Sequence, residues 1–557
     1  MSEAKLLGFE ASDLLTWLGG MRWFGGGKPK IDRAFALGGP WDEKVFWLAV
    51  SADGREYNVP VVVTGDGPVD AAEHTAGQRA LLALATASER VEATSVVGES
   101  GARLASEPRA AGAAAVSAHK LTGEQSNTSV IYELADSTRA IVKVFRVLSP
   151  GENPDVFLTG VLSDSGTVPR LLGNARMAWT GQVADILVAQ EFLAGSQDAW
   201  RTVTAQVPGA DGSQFDPDKP VQTPEERDSI ERLGALTRKI HEELAARCGT
   251  SEADAASRAR LRRAWSKRAD EAVALVPGLA PYRKRIDALY AATEDVAWPP
   301  LQRIHGDYHL GQVLDVPGRG WAALDFEGEP LRPLSERTKP DLAVRDVAGM
   351  VRSFGYAAGM TLNRLAYAHD RPDPSDVEER EAEQIAAWEK AAVAAFLRGY
   401  GELSEAEKLL LDVLVLDKAL YELAYEAAQR PDWLGIPLGG VAAILRVNPE
   451  SIAEPAGAGK SVASVKNADA VPDQSADAGQ SADAGQDIDP EQREESPEAE
   501  SAAGPSYPGF EVRRMVVFRC HPRPLPSCRG RGLTMKAAPA IEHQRLSPST
   551  QTPSSTV

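Results

Sequence analysis

The sequence predicts an α+β chain of two lobes, a small strand-rich one and then a larger helical one, followed by a disordered C-terminal tail. Three observations carry this. Short β-branched and aromatic runs with Gly and Pro turns fill the first 200 or so residues. Helical patterns dominate from about residue 225. Near residue 454 the composition turns to Ala, Gly, Ser and acidic residues and loses its large apolar side chains.

The strand signals come first. "KVFWLAV" and "YNVPVVVTG" lie within the first 105 residues, between turn residues. The glycine-rich, basic "RWFGGGKPK" lacks the Gly-Lys-Ser/Thr ending of a phosphate-binding P-loop. It is read as a tight turn beside buried Trp17 and Trp23. The helical lobe opens at "TPEERDSIERLGALTRKIHEEL", where Thr223, Pro224 and Glu226 make a capping-box start. A helical run across 381–399 and "EAEKLLLDVLVLDKALYELAYEAAQR" follow. Residues 454–505 hold 12 acidic and 3 basic side chains and "QSADAG" twice in tandem, which cannot offset the entropy of ordering. Residues 506–557 reverse sign, with 8 basic against 2 acidic, and show no sustained period.

Composition bounds the function. The 557 residues are 43% hydrophobic and 25% charged, as in ordinary globular chains, and exceed one domain by length. A net charge of -19 argues against a general nucleic-acid or anionic-membrane binder. Cys248, Cys520 and Cys528 are too few and too scattered for a disulfide framework or a metal-ligand spacing. The N-terminus lacks a basic region followed by an apolar run, and no apolar stretch approaches a bilayer span, so a cytoplasmic location is expected.

The chemistry concentrates in "RIHGDYHLGQVL", residues 303–314. Two histidines, an aspartate and an amide between apolar flanks are costly to bury unless each has a partner. The segment reads as a loop entering a short strand. "WAALDFEGEP" then presents Asp325 and Glu327 at a strand end. Asp307, Gln312, Asp325 and Glu327 form an all-oxygen set suited to Mg²⁺ plus a proton acceptor. Zinc is not suggested, because no third N or S ligand stands nearby. Protein kinases use H-R-D-x-x-x-x-N and a later metal-binding Asp in D-F-G. "HGDYHLGQ" keeps that offset, with Gln312 five residues after Asp307, and "LDFEG" supplies Asp325. His305 and His309 are read as braces of the loop, and His309 is also counted among the substrate contacts.

A cation over the phosphates must come from an earlier strand. "TRAIVKVFRVL" places Lys143 between valines, either as that cation or as a plain edge-strand charge. Upstream, "LTGEQSNTSVIYEL" reads as strand, polar turn, strand. Ser126, Asn127 and Thr128 there are candidates to hold phosphate oxygens. "DILVAQEFLAGSQDAW" fits a lobe-connecting hinge, where backbone near Gln190, Glu191 and Leu193 meets an adenine; a further core strand fits equally. Lys418, Tyr421 and Tyr425 stand at i, i+3 and i+7 on one helical face. They suit a sugar, or Lys418 pairs with Glu422 and the tyrosines are core.

With these residues assembled, residues 5–450 closely resemble the bacterial maltokinases, of the aminoglycoside-phosphotransferase-like, protein-kinase-like superfamily. The resemblance rests on "RWFGGGK", "GEQSNTSVIYEL", "IVKVFR", "NPD", "VPRLLG", "RIHGDYHLGQVL", "LDFEGEPLRPLSERTKPDLAVRDVAGMVRSF" and "YELAYEAAQRPDWLGIPL". It implies a bilobal protein-kinase-like fold: an N-terminal cap subdomain over 1–105, an intermediate subdomain over 106–200 completing the N-lobe, a helical C-lobe over 201–453, then the tail over 454–557. It implies ATP-dependent phosphorylation of maltose to maltose 1-phosphate, feeding α-glucan synthesis. Asp307 is then the base, Gln312 and Asp325 hold Mg²⁺ with Glu327 assisting, and Lys143 meets the phosphates. Lys418, Tyr421 and Tyr425 contact the sugar, and Asp346 braces the catalytic loop. Trehalose synthase and a maltosyltransferase are the implied pathway partners. One departure concerns the usual glutamate partner of the strand lysine. The helix starting at Asn153-Pro154 holds no Glu, and Glu152 and Asp155 look poor substitutes by position. The rival readings are a kinase of another sugar such as glucosamine, and a catalytically silent kinase-like binding module.

Overall fold

The computed structural model describes residues 11–109, 112–121, 127–212, 220–329, 332–368, 379–447 and 452. Ser126 and the 454–557 tail therefore lie outside the described residues. The architecture is the expected one: a strand-rich N-terminal part and a helical C-terminal part.

The N-terminal part opens with helix α1 (Ala11–Gly19) and then builds two antiparallel sheets. The first contains β1 (Lys30–Gly38), β2 (Lys44–Ala52), β3 (Arg55–Thr64), β4 (Gly67–Asp70) and β5 (Glu92–Val97), in the order β4-β3-β2-β1-β5. "KVFW" shows why this sheet is covered on both faces. Side chains alternate across a strand. Val45, Trp47 and Ala49 pack toward helix α2 (Thr75–Thr86) and the second sheet, while Phe46, Leu48 and Val50 pack toward Leu14 and Leu18 of α1. Trp17 and Trp23 are half-buried rather than buried as expected, because they line the rim of that second layer. Gly26 and Gly27 beside them turn at φ +93 and +92, which only glycine adopts without strain.

The second sheet contains β6 (Arg103–Pro108), β7 (Ala115–Lys120), β8 (Asn127–Leu134), β9 (Arg139–Phe145), β10 (Leu171–Trp179) and β11 (Gln182–Glu191), in the order β6-β10-β11-β9-β8-β7. Helix α3 (Pro154–Leu162) connects β9 to β10. Its N-cap is Asn153, whose Oδ1 accepts from Asp155 N at 2.9 Å.

Buried polar groups stitch the two sheets together. Asn58 on β3 donates from Nδ2 to Phe145 O (2.7 Å) and Ile186 O (2.8 Å). Fully buried Arg146 reaches Asp70 at 2.6 Å, donates to Thr128 Oγ1 at 2.8 Å and lies 4.7 Å from the Trp23 ring centre. Removing one member of a buried pair leaves an uncompensated charge. Arg146→Met is therefore expected to lower stability by about 3–5 kcal/mol, measured by denaturant unfolding followed at the tryptophans. Arg146→Met with Asp70→Leu should recover part of that loss.

Past β11 the chain crosses to the helical part at β12 (Gln197–Asp198), which pairs with β15 (Val313–Val316). β13 (Thr250–Ser251) pairs with β14 (Leu301–Gln302), and β15 also pairs with β16 (Gly320–Ala323). The longer helices are α4 (Pro224–Cys248), α5 (Ala255–Leu275), α6 (Val344–Ala368), α7 (Glu379–Tyr400), α8 (Glu405–Gln429) and α9 (Gly435–Leu445). The Thr223–Glu226 capping box forms as its sequence predicts. Helices α4 and α7 touch backbone to backbone at Gly234 and Gly399, where a Cβ on either would strike the other helix. Their apolar faces and those of α5, α6 and α8 share one core around Trp265, Phe354, Trp388 and Phe396. No described helix is long and apolar enough to cross a membrane.

Candidate active site

The "IHGDYHLGQ" loop is held by its backbone before any side chain acts. Asp346, fully buried in the first turn of α6, accepts from His305 N and Gly306 N, each at 2.9 Å. Its third partner is His241 of α4, at 3.0 Å. Burial alone would raise the Asp346 carboxyl, but these donors hold it below the usual carboxylate value, so it stays anionic. Gly349 lets α6 approach the loop, since a Cβ there would strike Tyr308 O. Asp346 thus occupies the bracing position suggested for it.

The histidines brace as well. His305 lies 2.7 Å from Leu324 O through Nε2. A carbonyl only accepts, so Nε2 carries the proton and Nδ1 faces Asp307 N at 3.4 Å. Its ring packs on Phe326, centroids 4.5 Å apart, tying the loop to the "DFE" segment. His309 accepts from Gly311 N at 3.1 Å through Nδ1, and burial pushes its pKa down, which keeps the ring neutral with Nε2 as its donor.

Two lysines organise the carboxylates. Lys143, on β9, lies 2.6 Å from Glu327, 2.9 Å from Asp325 and 3.5 Å from Asp155. Burial would lower its pKa, but the three anions raise it well above the ordinary lysine value. Burial would likewise raise Asp325, yet Lys143 pulls it below the carboxylate norm. Glu327 goes the other way, pushed up by burial and by its acidic neighbours. Asp325 sits at φ +59, a left-handed turn that aspartate tolerates better than most residues and that aims its carboxylate back at Lys143. Gln312 Nε2 stands 3.5 Å from Asp325 Oδ2.

Lys418, on α8, forms the second centre. It lies 3.0 Å from Asp307 Oδ1 and 3.0 Å from Glu329 Oε1. Glu422 instead faces Arg352 at 2.8 Å, so the alternative pairing of Lys418 with Glu422 does not form. Tyr421 stacks beside Lys418, at 4.9 Å from its ammonium, and Tyr425 lies next to Arg430 at 5.5 Å. Positions 418, 421 and 425 span about 10 Å along the helix, and Arg268 also lies 5.4 Å from the Tyr421 ring.

The nucleotide-side candidates divide. Asn127 Nδ2 reaches Glu327 at 3.3 Å and belongs to the Lys143 cluster. Thr128 does not reach it. Its side chain points to the opposite face of β8, where Arg146 holds the hydroxyl. Gln190 and Glu191 are the last two residues of β11, paired with Ile141 and Ala140 of β9, so they are strand residues as the alternative reading had it, and Leu193 follows the strand end. There Glu191 N–H is already bonded to Arg170 O, and buried Leu193 packs on Val316 and Ala322.

Two residues of the site are not predicted from the sequence. Asp155 looks a poor lysine partner by position, yet it faces Lys143. Its Oδ1 also accepts from Phe326 N at 3.0 Å, so one carboxylate joins α3, the strand lysine and the "DFE" turn. The signal was the N-cap: Asn153-Pro154 fixes the helix start and points Asp155 inward. Glu329, four residues after Asp325, is almost fully buried against Lys418 and Arg332.

The carboxylates of Asp155, Asp325 and Glu327 bring ligand oxygens within 4.8 Å of one another. Three hard oxygen donors fit a divalent cation such as Mg²⁺. A loop carboxylate, a buried lysine and a cluster of carboxylate oxygens are groups of the kind that phosphoryl transfer can use.

The known proteins that the chain resembles are named for glucosamine, not for the maltose that the sequence resemblance implies. The chain is 29% identical over 415 residues to a glucosamine kinase of Streptacidiphilus jiangxiensis, covering 70% of this chain and 85% of that one. It is 27% identical over 349 residues to a glucosamine kinase of Mycolicibacterium smegmatis, covering 58% and 79%. A solved glucosamine kinase in complex with glucosamine, ADP and inorganic phosphate superposes with a TM-score of 0.55 at 25% identity, over 73% of this chain and 93% of that one. Residues 175–382 match the phosphotransferase enzyme family. The strand-rich N-terminal part and the helical C-terminal part thus form a kinase-like fold.

Proposed function

We propose that the protein transfers the γ-phosphoryl group of ATP to a hydroxyl of a small sugar, with glucosamine as the first substrate to test. The observation that carries the reading is the Lys143–Asp325–Glu327–Asp155 cluster, tied to the Asp307 loop by Gln312, whose Nε2 stands 3.5 Å from Asp325 Oδ2. The names of the relatives and the ADP in the solved one support the sugar and the nucleotide. Asp307 accepts the hydroxyl proton as the oxygen–phosphorus bond forms and the bond to ADP breaks. Lys143 neutralises phosphate charge, and the 190–193 connection takes the adenine. Asp325, Asp155 and Glu327, with Gln312 beside them, would hold Mg²⁺, which supplies charge neutralisation between phosphates when bound. The names of these two relatives and of the solved structure speak for glucosamine, not for maltose.

Maltose, phosphorylated at its anomeric hydroxyl, is the second reading. Its support is the i, i+3, i+7 spacing of Lys418, Tyr421 and Tyr425 on one helix, a span of about 10 Å. ADP release with ATP, Mg²⁺ and a panel of glucosamine, maltose, glucose and trehalose separates the two. Turnover with glucosamine and not maltose is the expected result. Turnover with maltose alone would move the substrate. No phosphosugar from any of the four would overturn the sugar-kinase reading.

A further inference from the structure

Lys418 is placed unusually for a neighbour of a base. A carboxylate that must take a proton from a hydroxyl has one oxygen already bonded to an ammonium, 3.0 Å away. The lysine is rigidly presented. It sits in the middle of the 25-residue α8, and its other partner, Glu329, is fixed in turn. Arg332 stands 3.5 Å from Glu329 and 3.8 Å from Asp341. Arg345 then links Asp341 (2.8 Å) to fully buried Asp417 (3.3 Å), which also meets Arg268 at 3.3 Å. A chain of ion pairs, buried at Asp341, Arg345 and Asp417, therefore backs the Glu329 side of Lys418, while the Asp307 side faces the loop.

We propose that Lys418 is a positioning residue that latches the base until a sugar arrives, so that ATP is not hydrolysed in its absence. The inference rests on the reading of Asp307 as the base of a sugar kinase. A polyhydroxylated ring can present one hydroxyl to Asp307 and an adjacent oxygen to Lys418. The ammonium then exchanges its Asp307 bond for a sugar oxygen and stays on Glu329, and Asp307 Oδ1 becomes available. A single water bonded to Asp307 gives Lys418 no second acceptor of that kind, so the ammonium stays in place. Water then meets a base with one oxygen occupied. Sugar binding and release of the base are thereby the same event.

The test uses the full chain with ATP and Mg²⁺, measuring ADP release without sugar and phosphosugar formed with sugar. Lys418→Met is expected to raise sugar-free ADP release about tenfold, the weight of one hydrogen bond to a charged group, while sugar phosphorylation falls. Lys418→Arg should keep the sugar-free rate low, because a cation remains on Asp307. Adding Asp307→Asn to Lys418→Met should abolish the rise, since the leak runs through the freed base. Sugar-free release in folded Lys418→Met at or below the wild-type rate overturns the latch, and so does a rise that survives Asp307→Asn. Should Lys418→Met fail to fold, Glu329→Gln tests the same idea in reverse. It leaves Lys418 with Asp307 as its one anionic partner of the pair, so sugar-free release should drop below wild type and the KM for sugar should rise; an unchanged or raised sugar-free rate overturns the proposal. If wild-type protein makes no phosphosugar at all, the sugar-kinase reading fails, while the sugar-free rates still decide whether Lys418 restrains Asp307.

Discussion

Asp307→Asn is expected to lower phosphoryl transfer by about 10²–10⁴-fold, the usual contribution of a positioned base, with little change in stability. Asparagine keeps the shape and an acceptor oxygen, but it cannot take the proton that leaves the hydroxyl. The loop around it should hold, because its geometry comes from elsewhere. His305 N and Gly306 N are fixed by Asp346, and His305 is fixed by Leu324 O. Lys418 retains Glu329 as a partner. A coupled assay of ADP release and a thermal melt check both halves. A variant that folds normally and turns over at the wild-type rate would remove Asp307 from the mechanism. A variant that loses its melt as well would show that Asp307 is structural.

The sequence made the backbone of this site legible where spacing carries geometry. The five-residue offset from Asp307 to Gln312 and the later "DFE" can be satisfied only by a bent loop entering a strand, and β15 and β16 are that strand pair. The helical lobe was legible for a similar reason. Capping chemistry at Thr223 is local, and local rules do not depend on what packs above them. The partners across the fold were less legible. Asp155 is one methylene shorter than the glutamate expected beside a strand lysine, and only the path of α3 shows that it reaches Lys143. Glu329 reads as an ordinary turn acid until Lys418, 89 residues later, comes to rest on it. Thr128 was misassigned because a strand residue faces one of two sides, and the one-residue difference from Asn127 sends it to Arg146 instead of the site. On the proposed reading, sugar identity depends on the shape between α8 and the loop, which no motif encodes.

Lys143→Met is expected to be the second most damaging change, costing about 10²–10³ in turnover, as loss of one charge-stabilising group does in other active sites. It should also leave a signature that loss of a mere surface charge would not. Asp155, Asp325 and Glu327 all converge on the lysine, and without it three carboxylates face one another with no cation between them. Their repulsion should lower the melting midpoint of the variant in metal-free buffer. A divalent cation would relieve that repulsion, so added Mg²⁺ should raise the midpoint of Lys143→Met more than that of the wild type. Asp155→Asn provides the contrast. Its carbonyl can still accept from Phe326 N, so the "DFE" turn keeps its anchor, while Lys143 loses one of three anions. The expected loss there is only about tenfold, the weight of one charge-assisted contact, with a smaller response to Mg²⁺. Equal Mg²⁺ shifts in wild type and Lys143→Met would place the cation elsewhere, and wild-type turnover in Lys143→Met would take the strand lysine out of phosphate binding. A collapse of Asp155→Asn to the level of Lys143→Met would mean that the α3 carboxylate acts on the nucleotide side directly, and not only by holding the lysine in place.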